Sequence, residues 1–345
     1  MIMVTSVCII GCGRTAQAMA AYLSDRGVAV SMWGRDAGRV AKLCAEGIPV
    51  TGCCEGIYHP TPVADLGEAV SRSKYVFVMT TSGGHRPIAE ALRGKLGQEQ
   101  RILIFNGNWG AYEFYSILGE EAGEKNAVIA ETGAMLFLAD YVPGSLHIKK
   151  IKDHISLASI PKEQTQAVIE ELSPLFPQFV AEKNVLCTSI NNSNPVIHAP
   201  VTLFNLGRIE NGEDFLFYGD AATRSVIGYI EKIDKERCDV SRAIGVEPVS
   251  CLEIINSFWP DQYDNLYDAI KCNAAYMSGK GPTTLDHRYI NEDIPFGMAA
   301  VSALGKRYHV STPYIDAMLM CFDGLIGGLA ERVPDFSAKD IRELC

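Results

Sequence analysis

What this 345-residue sequence lacks narrows its class first. It has no apolar run long enough to span a bilayer, so no membrane span is expected. No basic segment followed by a long apolar stretch precedes the first strand-like run, so no signal peptide is expected. Basic residues are in deficit, 31 against 41 acidic, giving a formal net charge of -10. Such a chain repels phosphate backbones and anionic lipid, which argues against nucleic-acid and membrane-surface partners. The eleven cysteines contain no C-x-x-C pair and no regular short spacing. That argues against a disulfide framework or a structural zinc site, and no metal is expected. Free thiols in a reducing cytosol are the simpler reading, so a cytoplasmic protein is expected. There is no internal repeat and no low-complexity linker.

What is present is an ordinary globular balance, 48% hydrophobic and 21% charged, on a chain long enough for two domains. The first half alternates short apolar runs with helical patterns. The runs are Val7–Ile10, Val28–Trp33, Tyr75–Thr80, Arg101–Phe105, Ala127–Glu131 and Ile155–Ile160. They read as strands of a parallel sheet buried on both faces. Helices are expected around Ala16–Ser24, Ala37–Ala45, Ala64–Ser71, Pro87–Leu96, Tyr112–Glu121 and Lys162–Leu172. This alternation argues an α/β, doubly wound sheet of the Rossmann type. The second half is mainly α-helical, with patterns at Ala221–Gly245, Leu252–Asn256, Tyr263–Met277, Met298–Lys306 and Tyr314–Leu325. The expected division is a dinucleotide-binding domain over 1–185 and a helical domain for substrate and catalysis over 186–345.

The segment Gly11-Cys12-Gly13-Arg14-Thr15-Ala16 reads G-x-G-x-x-A between a strand and a helix. Gly11 permits the tight turn, Gly13 lets the backbone approach a pyrophosphate, and Ala16 lets helix and strand pack closely. The helix start then offers free N–H groups to the phosphates. The alternative is a domain that keeps the turn and binds no nucleotide. The second strand ends Ser31-Met32-Trp33-Gly34-Arg35-Asp36. Where an NAD enzyme usually carries an acidic residue for the ribose, about 20 residues after the glycines, Gly34 and Arg35 stand here. A guanidinium pairs with a 2′-phosphate that a carboxylate would repel, so NADP is expected, with NAD the alternative if Asp36 reaches the ribose. Thr80, Thr81 and Asn108 follow strand ends and are candidates to line the cofactor, against the alternative of ordinary turn chemistry. His85 has the same two readings.

Two stretches of the second half look chemical: Asn194-Pro195-Val196-Ile197-His198-Ala199-Pro200, and Asp286 through Gly297 with Arg288-Tyr289 and Glu292-Asp293 inside it. Together with the N-terminal fingerprint and the helix containing Glu236-Arg237, they resemble, in order and over nearly the whole chain, the octopine/nopaline (opine) dehydrogenase family. The resemblance implies reductive condensation of a 2-oxo acid with the amino group of an amino acid through an imine, and the reverse oxidation. It implies that His198 and Asp293 form the catalytic pair and that Arg288 holds a substrate carboxylate. Histidine exchanges protons near neutral pH, a carboxylate on its second nitrogen fixes the tautomer, and arginine grips a carboxylate with two parallel donors. As alternatives, His198 is structural, Asp293 caps the following helix, and Arg288 is a surface ion-pair residue. At 345 residues the chain is near the short end of the family, so loops that recognise bulky substrates are expected to be reduced.

Two other functions compete. One is a 2-hydroxy-acid or polyol-phosphate dehydrogenase of the wider superfamily, which would rely on a lysine; Asn191-Asn192-Ser193-Asn194 supplies none. The other is a non-catalytic NAD(P)-sensing protein, which would lack a proton-transfer residue. The expected partners are small-molecule substrates and a second copy of the chain in a homodimer.

Overall fold

The computed structural model describes residues 4–328, 332–337 and 340–344. The chain divides into two compact units, one up to Thr188 and one from Ser189 to Glu343. The first holds twelve strands: β1 (Ser6–Ile10), β2 (Ala29–Trp33), β3 (Ile48–Gly52), β4 (Gly56–Tyr58), β5 (Thr61–Pro62), β6 (Tyr75–Val78), β7 (Arg101–Ile104), β8 (Val128–Thr132), β9 (Phe137–Val142), β10 (Ser145–Ile151), β11 (Ile155–Ile160) and β12 (Phe179–Ala181). Eight of them form one sheet in the order β12-β11-β8-β7-β6-β1-β2-β5. Neighbours in it are parallel except β11 with β8. The doubly wound architecture and all six expected strands are present.

Alternate side chains feed two cores. Cys8, Ile10, Val76, Val78, Ile102 and Ile104 pack with Phe114 and Leu118 of the helix Gly110–Glu124. Phe77 and Phe105 turn the other way, onto Phe176. Each such side chain contributes about 1.5–3 kcal/mol by leaving water. Register sets the functional edge. Ile10 lies opposite Trp33 and Val78, Val78 opposite Ile104, and Ile104 opposite Glu131. The C-terminal ends of β1, β2, β6, β7 and β8 therefore stand side by side, where open α/β sheets bind ligands.

Several elements depart from expectation. A second sheet, β4-β3-β10-β9, stands where no strand was expected. Its β9–β10 hairpin turns at Pro143-Gly144, with Gly144 at φ 79°. That Pro-Gly pair between alternating runs is the sequence signal for it. The helix expected over Pro87–Leu96 runs His85–Ala91 instead. The Glu121 carboxylate accepts from the N–H groups of Gly94 and Leu96 and draws the chain out of the helix. The helix expected over Tyr263–Met277 is only Leu266–Lys271. Asn265 caps its start, and Asn273 accepts from the Ala275 N–H beyond its end, a turn that competes with helix.

The second unit is helical, with Ser193–Leu203, Arg224–Ala243, Cys251–Phe258, Ala299–Arg307 and Pro313–Leu325 as its longer helices. Arg237, buried in it, donates to Asp234, Ile190 O, Asn191 and Val249 O. Glu236 accepts from the N–H groups of Tyr314 and Ile315 and so caps the last long helix. The pair noticed in the sequence is structural. No described helix is long and apolar enough to cross a membrane. Among the described residues no cluster of His, Cys, Asp and Glu is arranged for a metal, and the cysteines are free; Cys345 lies outside them.

His85 is fully buried against Phe114, and neither ring nitrogen has a hydrogen-bond partner among the described residues. Burial pushes its pKa from 6.5 down to about 4. The folded chain then binds fewer protons at this group than the unfolded chain. The stability it contributes is present above about pH 6.5 and lost as pH falls toward 4, about 3 kcal/mol in all. Burial moves Glu113 the opposite way, up to about 7, against the opposing pull of Arg86. The whole-protein profile sums both, so a difference is the clean reading. His85→Leu should gain on the wild type by about 3 kcal/mol between pH 7 and 4 in denaturant titrations. A gap that stays constant with pH would show that His85 does not titrate between the two states.

Candidate active site

At the dinucleotide edge Gly11 is a position that only glycine satisfies. Gly11 sits at φ 134°, and a Cβ there would lie 2.6 Å from the Met79 carbonyl. Gly13 caps the helix Arg14–Asp25 in open space, with no side chain taking the first N–H groups and no acidic residue in the first turn. Ala16 is fully buried and Thr15 half-buried. Backbone donors, a helix start and free space fit a pyrophosphate. Arg14 is exposed and ion-paired with Asp140 at 2.8 Å, which is worth little in solvent and is displaceable.

A Cβ on Gly34 would lie 2.9 Å from Val40 Cγ2 and 3.3 Å from Cys12 Sγ, so a larger side chain is crowded there. Arg35 is exposed. The Asp36 carboxylate accepts from the Arg39 N–H at 2.9 Å and caps the helix Ala37–Glu46. Thr80 Oγ1 is buried without a partner, whereas Thr81 is exposed and starts a short 3-10 turn. Asn108 is buried and donates to Ser82 Oγ at 3.3 Å, tying together the loops after β6 and β7. It sits with Asn106 and Trp109 at φ 42°, 59° and 69°, a left-handed run that costs energy for the bulky Trp109.

The second constellation lies wholly in the helical unit. Asn192 caps the helix Ser193–Leu203, which places His198 in its interior. The segment Asp293–Met298 is a π-helical turn, and such turns are frequent at functional sites. Gly297 brings the two together: a Cβ there would lie 2.3 Å from Pro195. With that close approach, His198 Nδ1 lies 2.6 Å from Asp293 Oδ2. Asp293 is 0% exposed and His198 4%. Asp293 Oδ2 is taken by His198, and Oδ1 has no hydrogen-bond partner among the described residues and faces Arg288 Nη2 at 3.8 Å. The helix-capping reading of Asp293 is therefore set aside.

Electrostatics follow from this burial. Desolvation holds the His198 pKa below its ordinary value, with the Asp293 carboxylate pulling the other way. A neutral imidazole has one N–H, and the acceptor at 2.6 Å places it on Nδ1. Arg288 is anchored by Glu292, which accepts from its Nε at 3.0 Å, and its side chain is 32% exposed. Burial works against its charge, but Glu292 and Asp293 outweigh that and keep it protonated. With Nε committed, the Nη groups remain to meet a carboxylate from solvent. His287 accepts from the Tyr289 N–H and caps the short helix Arg288–Asn291.

Two aromatic residues of this site, Tyr218 and Tyr276, lie in no sequence motif, and a third, Tyr289, lies inside the Arg288–Glu292 motif without a role read for it. Tyr289 stacks on His198 with ring centroids 3.9 Å apart. Tyr218 places its hydroxyl 3.0 Å from His198 Nε2 and stacks on Tyr276 at 4.6 Å. The one available signal for Tyr218 is the aromatic density of Phe215, Phe217 and Tyr218.

Comparison with known proteins bears on the family and the fold. The family model described as NAD/NADP octopine/nopaline dehydrogenase, alpha-helical domain, matches residues 181–326. That described as ketopantoate reductase PanE/ApbA matches residues 7–130. The chain is 33% identical over 327 residues to an opine dehydrogenase of Arthrobacter sp. (strain 1C), covering 92% of this chain and 90% of that protein. Its fold matches octopine dehydrogenase solved with NADH and L-arginine, with TM-score 0.76, 18% identity and coverage of 94% and 92%. It also matches yersinopine dehydrogenase solved with NADP+, with TM-score 0.77, 15% identity and coverage of 98% and 94%. The chain belongs to the opine dehydrogenase family and is an NAD(P)-dependent oxidoreductase acting on CH–NH bonds.

Proposed function

We propose that His198 and Asp293 form the proton-transfer pair of a reductive condensation between a 2-oxo acid and an amino acid, with Arg288 holding a substrate carboxylate. The observation that carries this is the buried 2.6 Å contact between His198 Nδ1 and Asp293 Oδ2. The carboxylate fixes the imidazole tautomer and stabilises the imidazolium whenever Nε2 takes a proton. Forming the imine removes protons from the amine and delivers one to the departing hydroxyl, work suited to a histidine that is neutral at rest. Arg288 supplies the fork that orients the 2-oxo acid's carboxylate, and Glu292 keeps that fork from swinging. When bound, the nicotinamide supplies the hydride.

NADP(H) is the cofactor we assign. Crowding at Gly34 disfavours an acidic side chain at the strand tip, and Asp36 is committed to a helix cap. Arg35 is free in solvent to meet a 2′-phosphate. Free thiols throughout the described residues suit a reducing cytoplasm, where we place the enzyme.

The reaction is tested by NADPH oxidation with pyruvate, 2-oxoglutarate or oxaloacetate, each with and without the common amino acids. Oxidation should require both substrates, and His198→Ala should lower the rate by about 10²–10⁴-fold with NADPH binding intact. Oxidation driven by the oxo acid alone would instead make this a 2-hydroxy-acid dehydrogenase. For the cofactor, Arg35→Asp should weaken NADPH binding by about 1.5–3 kcal/mol and turn preference toward NADH. Wild-type binding of NADH at least as tight as that of NADPH, by calorimetry, would contradict the assignment.

A further inference from the structure

Both nitrogens of His198 are occupied. Nδ1 meets Asp293 at 2.6 Å and Nε2 meets the Tyr218 hydroxyl at 3.0 Å. The ring is also closed off: Tyr289 stacks on it and Phe217 meets it at 5.7 Å in an edge contact. With 4% of the residue exposed, the imidazole has almost no direct opening to a substrate. The phenol, by contrast, retains acceptor capacity on its oxygen while its O–H is given to Nε2.

We propose that Tyr218 is the third member of the proton path, the group through which His198 exchanges protons with the reacting substrate. This rests on the reading of His198 and Asp293 given above. When the carbinolamine loses water, the Tyr218 O–H bond breaks and its proton goes to the departing hydroxyl. At the same time the Nε2–H bond of the imidazolium breaks and its proton goes to the Tyr218 oxygen. The C–O bond electrons leave with the water, the nitrogen lone pair closes the C=N bond of an iminium that carries the positive charge, His198 ends neutral and Tyr218 ends as a phenol. In the opposite direction, a proton leaving the amine goes to the Tyr218 oxygen while the phenol proton passes to Nε2. Neither direction leaves a free phenolate, which suits a phenol whose pKa burial lifts well above the ordinary value.

The protein holds this hydroxyl in place by separate means. Tyr218 lies in the π-helical turn Phe217–Ala221. Lys271 donates to the carbonyls of Tyr218 and Gly219 and pins that turn, and the Tyr276 ring supports the Tyr218 ring from the side. The groups bearing on it electrostatically are Tyr289, Tyr276, Asp293 and Arg288.

The test is a proton inventory of single-turnover NADPH oxidation in mixtures of H2O and D2O, for wild type and Tyr218→Phe, with a substrate pair for which deuterated NADPH shows no isotope effect, so that the dehydration sets the rate. The phenylalanine keeps the ring that stacks on Tyr276, so the melting temperature should hold. Wild type should give a bowed inventory, two protons moving together. Tyr218→Phe should give a linear inventory and a rate lower by about tenfold or more, with NADPH affinity unchanged. A linear wild-type inventory would overturn the relay without recourse to any variant. So would a Tyr218→Phe enzyme that keeps the wild-type rate and inventory. His198→Ala separates the two claims: if it is inactive while Tyr218→Phe is fully active, only the relay fails, and if it is active the catalytic pair fails first.

Discussion

Putting an imidazole and a carboxylate together out of water is costly, and the helical unit is shaped by the need to make that contact good. Asp293 is fully buried, and an unpaired charge there would be strongly destabilising. His198 at 2.6 Å supplies the hydrogen bond, and the Arg288 guanidinium supplies positive charge within 3.8 Å. The surrounding devices serve that distance. The π-helical turn aims Asp293 inward, Gly297 lets the turn sit on Pro195, and Glu292 steadies Arg288. Desolvation and the carboxylate pull the histidine in opposite directions, and desolvation is the larger. The imidazole is therefore held neutral at rest and ready to accept a proton.

The first unit works by space rather than charge. Gly11 is required by its φ and its close approach to Met79, Gly13 leaves the helix start open, and Gly34 sits where a side chain would strike Val40 and Cys12. Backbone donors thus stand open at the helix start of a protein whose net charge is -10. Strain accumulates at the same edge, with Asn106, Asn108 and Trp109 all left-handed after β7. Such strain is expected to persist where the surrounding structure fixes a functional loop.

Much of this was legible in the sequence because it rests on local rules. Buried parallel strands announce themselves as short Val- and Ile-rich runs, and the G-x-G-x-x-A turn stands between a strand and a helix. The β9–β10 hairpin was missed because its one clear mark, Pro143-Gly144, sits between modest alternating runs. The helical pattern over Tyr263–Met277 outruns the helix because two asparagine side chains, Asn265 and Asn273, redirect the backbone at either end. His198, Arg288 and Asp293 could be named from the family resemblance, but only tertiary structure shows that His198 and Asp293 meet. Tyr218 belongs to no motif; its one mark in the sequence is the local aromatic density, and its contact with His198 exists only in the folded chain.

The proposed mechanism requires His198 and Asp293 to act as one unit, and a double-mutant cycle tests that most directly. Steady-state rates would be measured for His198→Ala, Asp293→Asn and the double variant, with melting temperatures as a control. Because residues that serve one step are strongly non-additive, the double variant should be scarcely slower than His198→Ala alone. Rate losses that multiply would show two independent roles and contradict the account.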